Sequence, residues 1–394
     1  MEVNMELKPF QKKVWAEIDL DAATYNYNQI RKCLNHNTRL CCVLKGDGYG
    51  HGAVQMSKLY EQLGADYLAV SNIAEGLQIR NSGVKLPILI LGYTDPQCVD
   101  LLAINNLSQC VFSYEYGKIL SEYAEKTGMK VNIHIKMDTG LGRIGFKCDL
   151  KSLDKIVKVC SSPFLLNEGI FTQFAVADEG VKGKTYTEYQ FNTFLSSIDY
   201  LEKKGVIFKL KHCANSACIF DYPEMHLDMV RPGIALYGLQ PSCVLQNPVN
   251  LHPVRSLKTV IVYIKNVLAG EYIGYGREFQ ADHDIKVATI PIGYADGLSS
   301  SNVKNRIRIE VEGSFATLVG RACMEQCMID ISNIPAASIN SIVTIYDNSE
   351  NNLTDYSAED NKAINYEIGC NFGERNPKVY MKNGCIEEIV DNII

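Results

Sequence analysis

The sequence predicts an α/β protein: a (β/α)8 TIM-type barrel over residues 14–250 followed by a β-rich domain over residues 255–394, with residues 1–13 offering that domain one further strand. Three observations carry the prediction. A chain of 394 residues exceeds the size at which a single core stops growing, so two domains are expected. Between residues 38 and 236, eight short runs rich in branched residues alternate with longer helix-like segments. After about residue 255 helical periodicity fades, and turn residues punctuate short β-branched runs.

In chain order the barrel strands are expected in TRLCCVLK (38–45), DYLAVS (66–71), PILIL (87–91), QCVFS (109–113), KVNIHIKM (130–137), EGIFTQF (168–174), IFKLKHC (207–213) and DMVRPGIAL (228–236). Between the first two, Met56, Leu59, Tyr60 and Leu63 fall on one face of a helix, and Phe191, Phe194, Leu195 and Ile198 repeat that spacing. Parallel strands need such crossover helices, and eight units over this length are what a closed barrel requires; a doubly wound open sheet is the alternative. Asn247-Pro248 and Pro253 mark the junction. Beyond it, KTVIVYIKNV (258–267), DIKVATIPIGY (284–294), FATLVG (315–320) and SIVTIY (341–346) read as strands, and NSENNLTDYSAEDNK (348–362) as an exposed loop.

Composition narrows the function. Hydrophobic residues make up 46% and charged residues 21%, ordinary for a soluble globular protein. A net charge of −6 leaves no basic field for nucleic acid. The polar start and the lack of a long apolar run predict neither a secretory leader nor a membrane span, hence a cytoplasmic protein. There the 14 cysteines should be reduced. Their irregular spacing gives no zinc pattern, so no metal site is expected and the thiols are read as small buried hydrophobes.

Chemistry concentrates at VLKGDGYGHG (43–52). Barrel enzymes act at the carboxyl ends of their strands, and a half-buried lysine there can condense with a carbonyl compound. Gly48 and Gly50 bracket Tyr49 and allow the backbone to approach a ligand closely. This segment resembles the cofactor-lysine motif of the alanine racemases, a fold-type III pyridoxal-phosphate family. Six further segments resemble that family in order and spacing: KMDTGLGRIGF (136–146), HCANSA (212–217), MVRPGIALYG (229–238), IGYGREF (273–279), PIGYADG (291–297) and GRACMEQ (320–326). The likeness spans roughly residues 14–380.

The resemblance implies an amino-acid racemase interconverting L- and D-alanine, supplying D-alanine for peptidoglycan. It implies pyridoxal 5'-phosphate on Lys45, with Lys45 and Tyr275 as bases on opposite faces of the substrate. A phenol is mostly protonated at neutral pH, so it suits the donor role and needs nearby cations to act as a base. Tyr49, Ser216, Gly233 and Ile234 match the family's phosphate ligands. Arg231 matches the arginine facing the ring nitrogen; because it does not readily give up a proton, that nitrogen stays unprotonated and side reactions are suppressed. Arg143 matches the contact to cofactor oxygen and substrate carboxylate, Met324 offers its backbone N–H to the substrate, and Lys136 matches a lysine carbamylated in many members. The partners implied are a small amino-acid substrate and a second copy of the chain, with Tyr275 reaching the partner's site in a head-to-tail homodimer.

Three residues depart from the family pattern. Gln173 stands where a histidine usually stacks on the cofactor, Glu325 replaces an aspartate, and Glu374 replaces a tyrosine that bonds the phosphate. Glu374 would bring negative charge towards a phosphate unless Arg375 or Lys378 offsets it. The alternatives are a serine or broad-range racemase, and a non-catalytic cofactor-binding protein like the single-domain barrels, which lack the second domain. A fold-type III decarboxylase is a fourth reading, and its signature cysteine and glycine-rich segments are not evident.

Overall fold

The computed structural model describes residues 13–298, 307–347 and 375–391, and among these the chain forms two compact units. One comprises residues 24–252. The other joins the segment before residue 24 to the segment from Pro253 onward.

In the first unit the expected runs become strands: β2 (Arg39–Val43), β3 (Tyr67–Val70), β4 (Ile88–Ile90), β5 (Leu107–Val111), β6 (Val131–Lys136), β7 (Leu165–Phe171), β8 (Leu210–His212) and β9 (Met229–Val230). β1 is described below. All neighbours from β2 to β8 pair in parallel, and β9 pairs with β2. The gap between β8 and β9 is bridged by the amide of Asp228 donating to Lys211 O and that of Arg231 donating to Ala214 O, so the sheet returns on itself as a barrel. An open doubly wound sheet is thereby ruled out.

Helices follow the strands: α1 (Leu20–Lys32) precedes β2, then come the left-handed turn α2 (Lys45–Tyr49) and the helices α3 (Ala53–Gln62), α4 (Ile73–Asn81), α5 (Val99–Ile104), α6 (Tyr114–Thr127), α7 (Leu150–Cys160), α8 (Lys184–Lys203) and α9 (Ser216–Asp221). Asn72, Ser113, Asp149 and Asn215 each place a side-chain oxygen on a backbone N–H of the first turn, which starts α4, α6, α7 and α9 where β-structure ends. On α3, Met56, Leu59 and Tyr60 are buried as their spacing predicts. On α8 the buried face is Gln190, Phe194, Ser197, Ile198 and Leu201, and Leu195 is exposed, so the expected stripe is displaced towards polar positions.

The second unit begins with β1 (Val14–Asp19), so residues 14–23 belong to the strand-rich unit and not to the barrel as expected. The segment expected to add a strand, 1–13, lies but for Lys13 outside the described residues. The other strands are β10 (Arg255–Val260), β11 (Tyr263–Val267), β12 (Tyr272–Ile273), β13 (Phe279–Gln280), β14 (Ile285–Ile290), β15 (Ile307–Val311), β16 (Ser314–Val319), β17 (Cys327–Asp330), β18 (Ile342–Asp347), β19 (Lys378–Lys382) and β20 (Cys385–Val390). Ten of the described strands form one sheet in the order β11-β14-β17-β16-β15-β18-β10-β1-β19-β20. The single run read at 258–267 is two strands with different neighbours: β10 pairs with β1 and β18, β11 with β14. Ile290, Ile309, Val311, Ile329, Val343 and Ile345 fill this unit's core. The loop expected at 348–362 lies outside the described residues.

One irregularity in the barrel bears on the site. Along β6 and β7, Ile133 faces Asn167 but His134 faces Gly169, so Glu168 is an extra residue bulged from the ladder. Gly169 has no room for a side chain, since a Cβ would overlap the His134 ring. Gly169→Ala should therefore destabilise the barrel by about 1–3 kcal/mol, the usual cost of overpacking. Urea unfolding followed by circular dichroism measures this, and an unchanged midpoint would show that β7 relaxes freely.

Candidate active site

Lys45 follows β2 after a single intervening residue and opens a turn in which Gly46, Asp47, Gly48, Tyr49 and Gly50 all have positive φ, between 52° and 80°. Glycines alternate with Asp47 and Tyr49 because a run of left-handed residues strains each Cβ it carries. Three bonds hold the turn. Glu75, in the first turn of α4, accepts from the Gly46 amide at 2.7 Å and from the Ser71 amide at 2.7 Å, and Asp47 Oδ1 accepts from the Ala53 amide at 2.8 Å. The result brings Lys45 Nζ to 5.8 Å from the centre of the Tyr49 ring and buries that ring.

Tyr49 packs at 4.9 Å on Tyr237, whose hydroxyl donates to Val43 O at 3.0 Å. The Tyr49 hydroxyl meets Gly233 so closely that a Cβ there would stand 2.5 Å from it. Ser216, the first residue of α9, accepts from the Gly233 amide at 3.0 Å and the Ala235 amide at 3.4 Å, and Ile234 heads the same 3-10 turn. The Tyr49 phenol, the Ser216 hydroxyl and the Gly233 and Ala235 amides thus gather at a position where only glycine fits, a cluster of donors suited to an anion. No Walker-type loop contributes.

Arg231 is 4% exposed. Its NH1 donates to His212 Nδ1 at 2.7 Å, and its NH2 to Thr172 O at 2.8 Å, to Gln173 Oε1 at 3.1 Å and to Cys213 O at 3.2 Å. Gln173, where a stacking histidine is usual, is here a ligand of the guanidinium. Behind His212 the polar contacts continue through the barrel: His212 Nε2 to His134 Nδ1 at 2.9 Å and His134 Nε2 to Glu168 Oε2 at 3.3 Å. Glu168 also receives Ser108 Oγ at 2.6 Å and Tyr67 Oη at 2.9 Å. Burial drives both imidazoles to lower pKa, His212 further because Arg231 faces it. Burial would raise Glu168, but the hydrogen bonds it accepts from His134, Ser108 and Tyr67 prevail and hold its carboxyl below the usual carboxylate range. With the imidazoles neutral, the His134–Glu168 contact is a hydrogen bond from imidazole to carboxylate.

Lys136, at the end of β6, is buried, donates to Met137 O at 2.6 Å and lies 5.5 Å from the Phe171 ring that also carries Arg231 on it. Burial brings its ammonium down to about 8. Arg143 is exposed on the loop that Asp138 pins by accepting from the Gly140 and Gly142 amides. The sequence reading passed over His134 and Glu168. His134 could have been found, since it stands two residues before Lys136 and so shares its face of β6. Glu168 could not, because the bulge breaks the alternation along β7.

In the strand-rich unit, Tyr275 and Met324 line one open groove of about 730 Å³ with Tyr294, Arg321, Cys323 and Glu325. Tyr275 is 71% and Met324 54% exposed. Arg375 grips the groove's loop, donating to both Glu325 oxygens at 3.0 and 2.6 Å and to the buried Asp296 at 2.9 Å. Glu374, whose charge Arg375 or Lys378 would have to offset beside a phosphate, lies outside the described residues. Seven described cysteines are buried, with thiols such as Cys41 pushed up to about 12 by burial, whereas Cys243 and Cys385 are exposed, so the expectation of uniformly buried thiols holds only in part.

A barrel with a lysine at the end of its first strand, an anion cradle beside it and a strand-rich second unit defines the class of barrel-based amino-acid racemases. Residues 18–241 match the family model "Alanine racemase, N-terminal domain" and residues 254–380 "Alanine racemase, C-terminal domain". Alanine racemase of Clostridium tetani is 44% identical over 380 residues, 95% of this chain and 97% of that protein. Alanine racemase 1 of Clostridium acetobutylicum is 41% identical, covering 96% and 98%. Among solved structures, alanine racemase of Clostridium difficile 630 superposes with a TM-score of 0.90 at 36% identity over 98% of this chain and 100% of that one. The Bacillus anthracis enzyme with bound L-Ala-P gives 0.86 at 32% identity over 98% and 99%. The chain belongs to the alanine racemase family, a family of amino-acid racemases that use pyridoxal phosphate. No helix among the described residues is long and apolar enough to cross a membrane.

The neutral histidines predict a pH dependence. Their folded pKa values lie below the 6.5 of an unfolded histidine, so as pH falls below about 6.5 the unfolded chain takes up protons the barrel refuses, and stability drops. Glu168, held below the usual carboxylate range, adds a second loss as pH falls below about 4.5. Two such protons set an upper slope of ~2.7 kcal/mol per pH unit. Urea midpoints measured from pH 7 to pH 5 should fall, and less steeply in His212→Gln; a flat profile in the wild type would refute neutral imidazoles.

Proposed function

We propose that this chain interconverts L- and D-alanine with pyridoxal 5'-phosphate held on Lys45, and that Lys45 and Tyr275 handle the α-proton from opposite faces. The observation that carries the reading is the cradle where the Lys45 turn meets β9: the Tyr49 and Ser216 hydroxyls and the amides from Gly233 onward, around a glycine whose Cβ would fill the space. These residues fit a phosphate, which accepts from hydroxyls and backbone N–H groups. When bound, the cofactor delocalises the electron pair of the Cα–H bond and so acidifies that proton.

Lys45 Nζ holds or returns the proton on one face and Tyr275 Oη on the other, so configuration inverts with no net redox change. Arg231, fixed by four acceptors and keeping its own proton, would face the ring nitrogen as a donor and so leave it unprotonated. Arg143 orients the substrate carboxylate, with the Met324 N–H as a second donor. Lys136 is a candidate for carbamylation, since an amine brought down to about 8 is partly neutral near physiological pH, and neutral amines add carbon dioxide. The resulting anion would steady Arg143. The exposed Tyr275 and Met324, on a groove a lone chain leaves in water, support a homodimer in which each strand-rich unit completes its partner's site. Alanine is the principal substrate, with measurable serine activity, since an apolar pocket rejects an added hydroxyl by only ~100-fold. The setting is cytoplasmic, where D-alanine feeds peptidoglycan synthesis.

Lys45→Ala should abolish the cofactor absorbance that borohydride fixes to the chain; trapping at another lysine sinks the assignment. Tyr275→Phe should end racemisation while sparing solvent-deuterium exchange at the α-position of one enantiomer alone. Equal exchange from both enantiomers would exclude two opposed bases, and a fully active monomer in sedimentation would exclude shared sites. Comparing kcat/KM for alanine and serine in wild type and Glu374→Tyr tests the substrate reading: an unchanged ratio means Glu374 faces away from the pocket.

A further inference from the structure

The lumen of a (β/α)8 barrel is ordinarily packed with branched aliphatic side chains. Here a continuous file of polar groups crosses it, from Tyr67 and Ser108 through Glu168, His134 and His212 to Arg231. Buried polar groups are costly unless every member is satisfied, so such a file must be maintained by the surrounding fold. Two features of β7 serve it. Asn167 reaches outward to Cys160 O on α7, and Phe171 stacks inward on His212 at 4.9 Å; the bulge at Glu168 lets that residue and Gly169 both face the lumen between them. Glycine at 169 then leaves the space that the His134 ring occupies.

The ends of the file fix its direction. A guanidinium only donates, so His212 Nδ1 is an acceptor and its proton sits on Nε2. A carboxylate only accepts, so His134 carries its proton on Nε2 and presents a bare Nδ1 to His212. Each imidazole can meet both neighbours in one tautomer only. Were His134 to hold its proton on Nδ1, His212 would have to turn an N–H towards Arg231, donor against donor.

We propose that Glu168 is a positioning residue for the racemase reaction: its carboxylate sets the tautomers of His134 and His212 and thereby holds Arg231 at the angle from which it meets the cofactor ring. Glu168 touches neither substrate nor cofactor. The proposal rests on the reading of Arg231 given above, and its test separates the two.

Magic-angle-spinning 15N spectra of the full-length, pyridoxal-phosphate-loaded protein labelled at its seven histidines read the tautomers directly, with His134 and His212 assigned by substitution. In the wild type both rings should show the neutral Nε2–H form; an Nδ1–H on either overturns the proposal without any variant being made. In Glu168→Gln, which keeps shape and removes charge, His212 should become a mixture of tautomers. The bound cofactor's absorption band should shift, and kcat for alanine should fall on the order of 10–100-fold per bound cofactor with KM within about threefold, the usual scale for residues that orient a ligand. Glu168→Asp, which restores charge, should recover part of kcat. His134→Gln interrupts the file from the other side and should give the same His212 signature if Glu168→Gln does not fold. An unchanged His212 pattern in the variants overturns the proposal, as does altered His212 with wild-type absorption and kcat. If borohydride instead traps no cofactor on wild-type Lys45, the cofactor reading fails while the tautomer result still decides whether Glu168 orders the file.

Discussion

A guanidinium taken out of water must find acceptors for its donors or cost several kcal/mol, and the barrel is arranged around that demand at Arg231. Two of its acceptors are the carbonyls of Thr172 and Cys213, at the ends of β7 and β8, and its own amide bonds Ala214 O where the sheet closes. Closure of the barrel and desolvation of the cation are therefore one event: the strand ends cannot separate without stranding the charge. A side-chain partner, His212, extends the same requirement into the lumen, where a second histidine and a carboxylate answer it.

Across the barrel mouth the governing constraint is conformational. Five consecutive residues with positive φ would be prohibitive in most sequences, and here three are glycine while Asp47 and Tyr49 are anchored, one by a cap to α3 and the other by packing on Tyr237. The strain is offset by contacts on both sides, and it fixes the direction in which Lys45 leaves β2. A flexible loop could present the same lysine, but not with the Tyr49 ring and hydroxyl held between it and Gly233.

Much of this was legible in the sequence because it is local. Branched runs at even spacing marked the barrel strands, apolar residues at helical spacing marked two of the helices, and Lys45, Ser216 and Arg231 stood in segments whose glycine and proline patterns are hard to produce otherwise. What stayed hidden depends on partners distant in sequence or on broken periodicity. The Arg375 grip on Glu325 and Asp296 joins residues 50 and 79 positions apart. Glu168 was obscured by the bulge that makes it useful. The run at 258–267 read as one strand because a corner between Val260 and Tyr263 leaves no trace in hydrophobic pattern. Val14–Asp19 was assigned to the wrong unit since nothing in an edge-to-edge run reveals which sheet receives it.

That first strand has a consequence for how the molecule is made. β1 lies between β10 and β19, antiparallel to one and parallel to the other, with Ala16 opposite both Leu257 and Lys378. A chain emerging from the ribosome delivers β1 first, yet its two neighbours arrive only after the whole of the barrel and then after nearly all of the remaining sequence. The barrel is topologically an insertion within the strand-rich unit, free to complete its own hydrogen bonding early, since each of its strands pairs with the next. Until β10 emerges Val14–Asp19 has no strand to pair with, and its second side stays open until β19 follows.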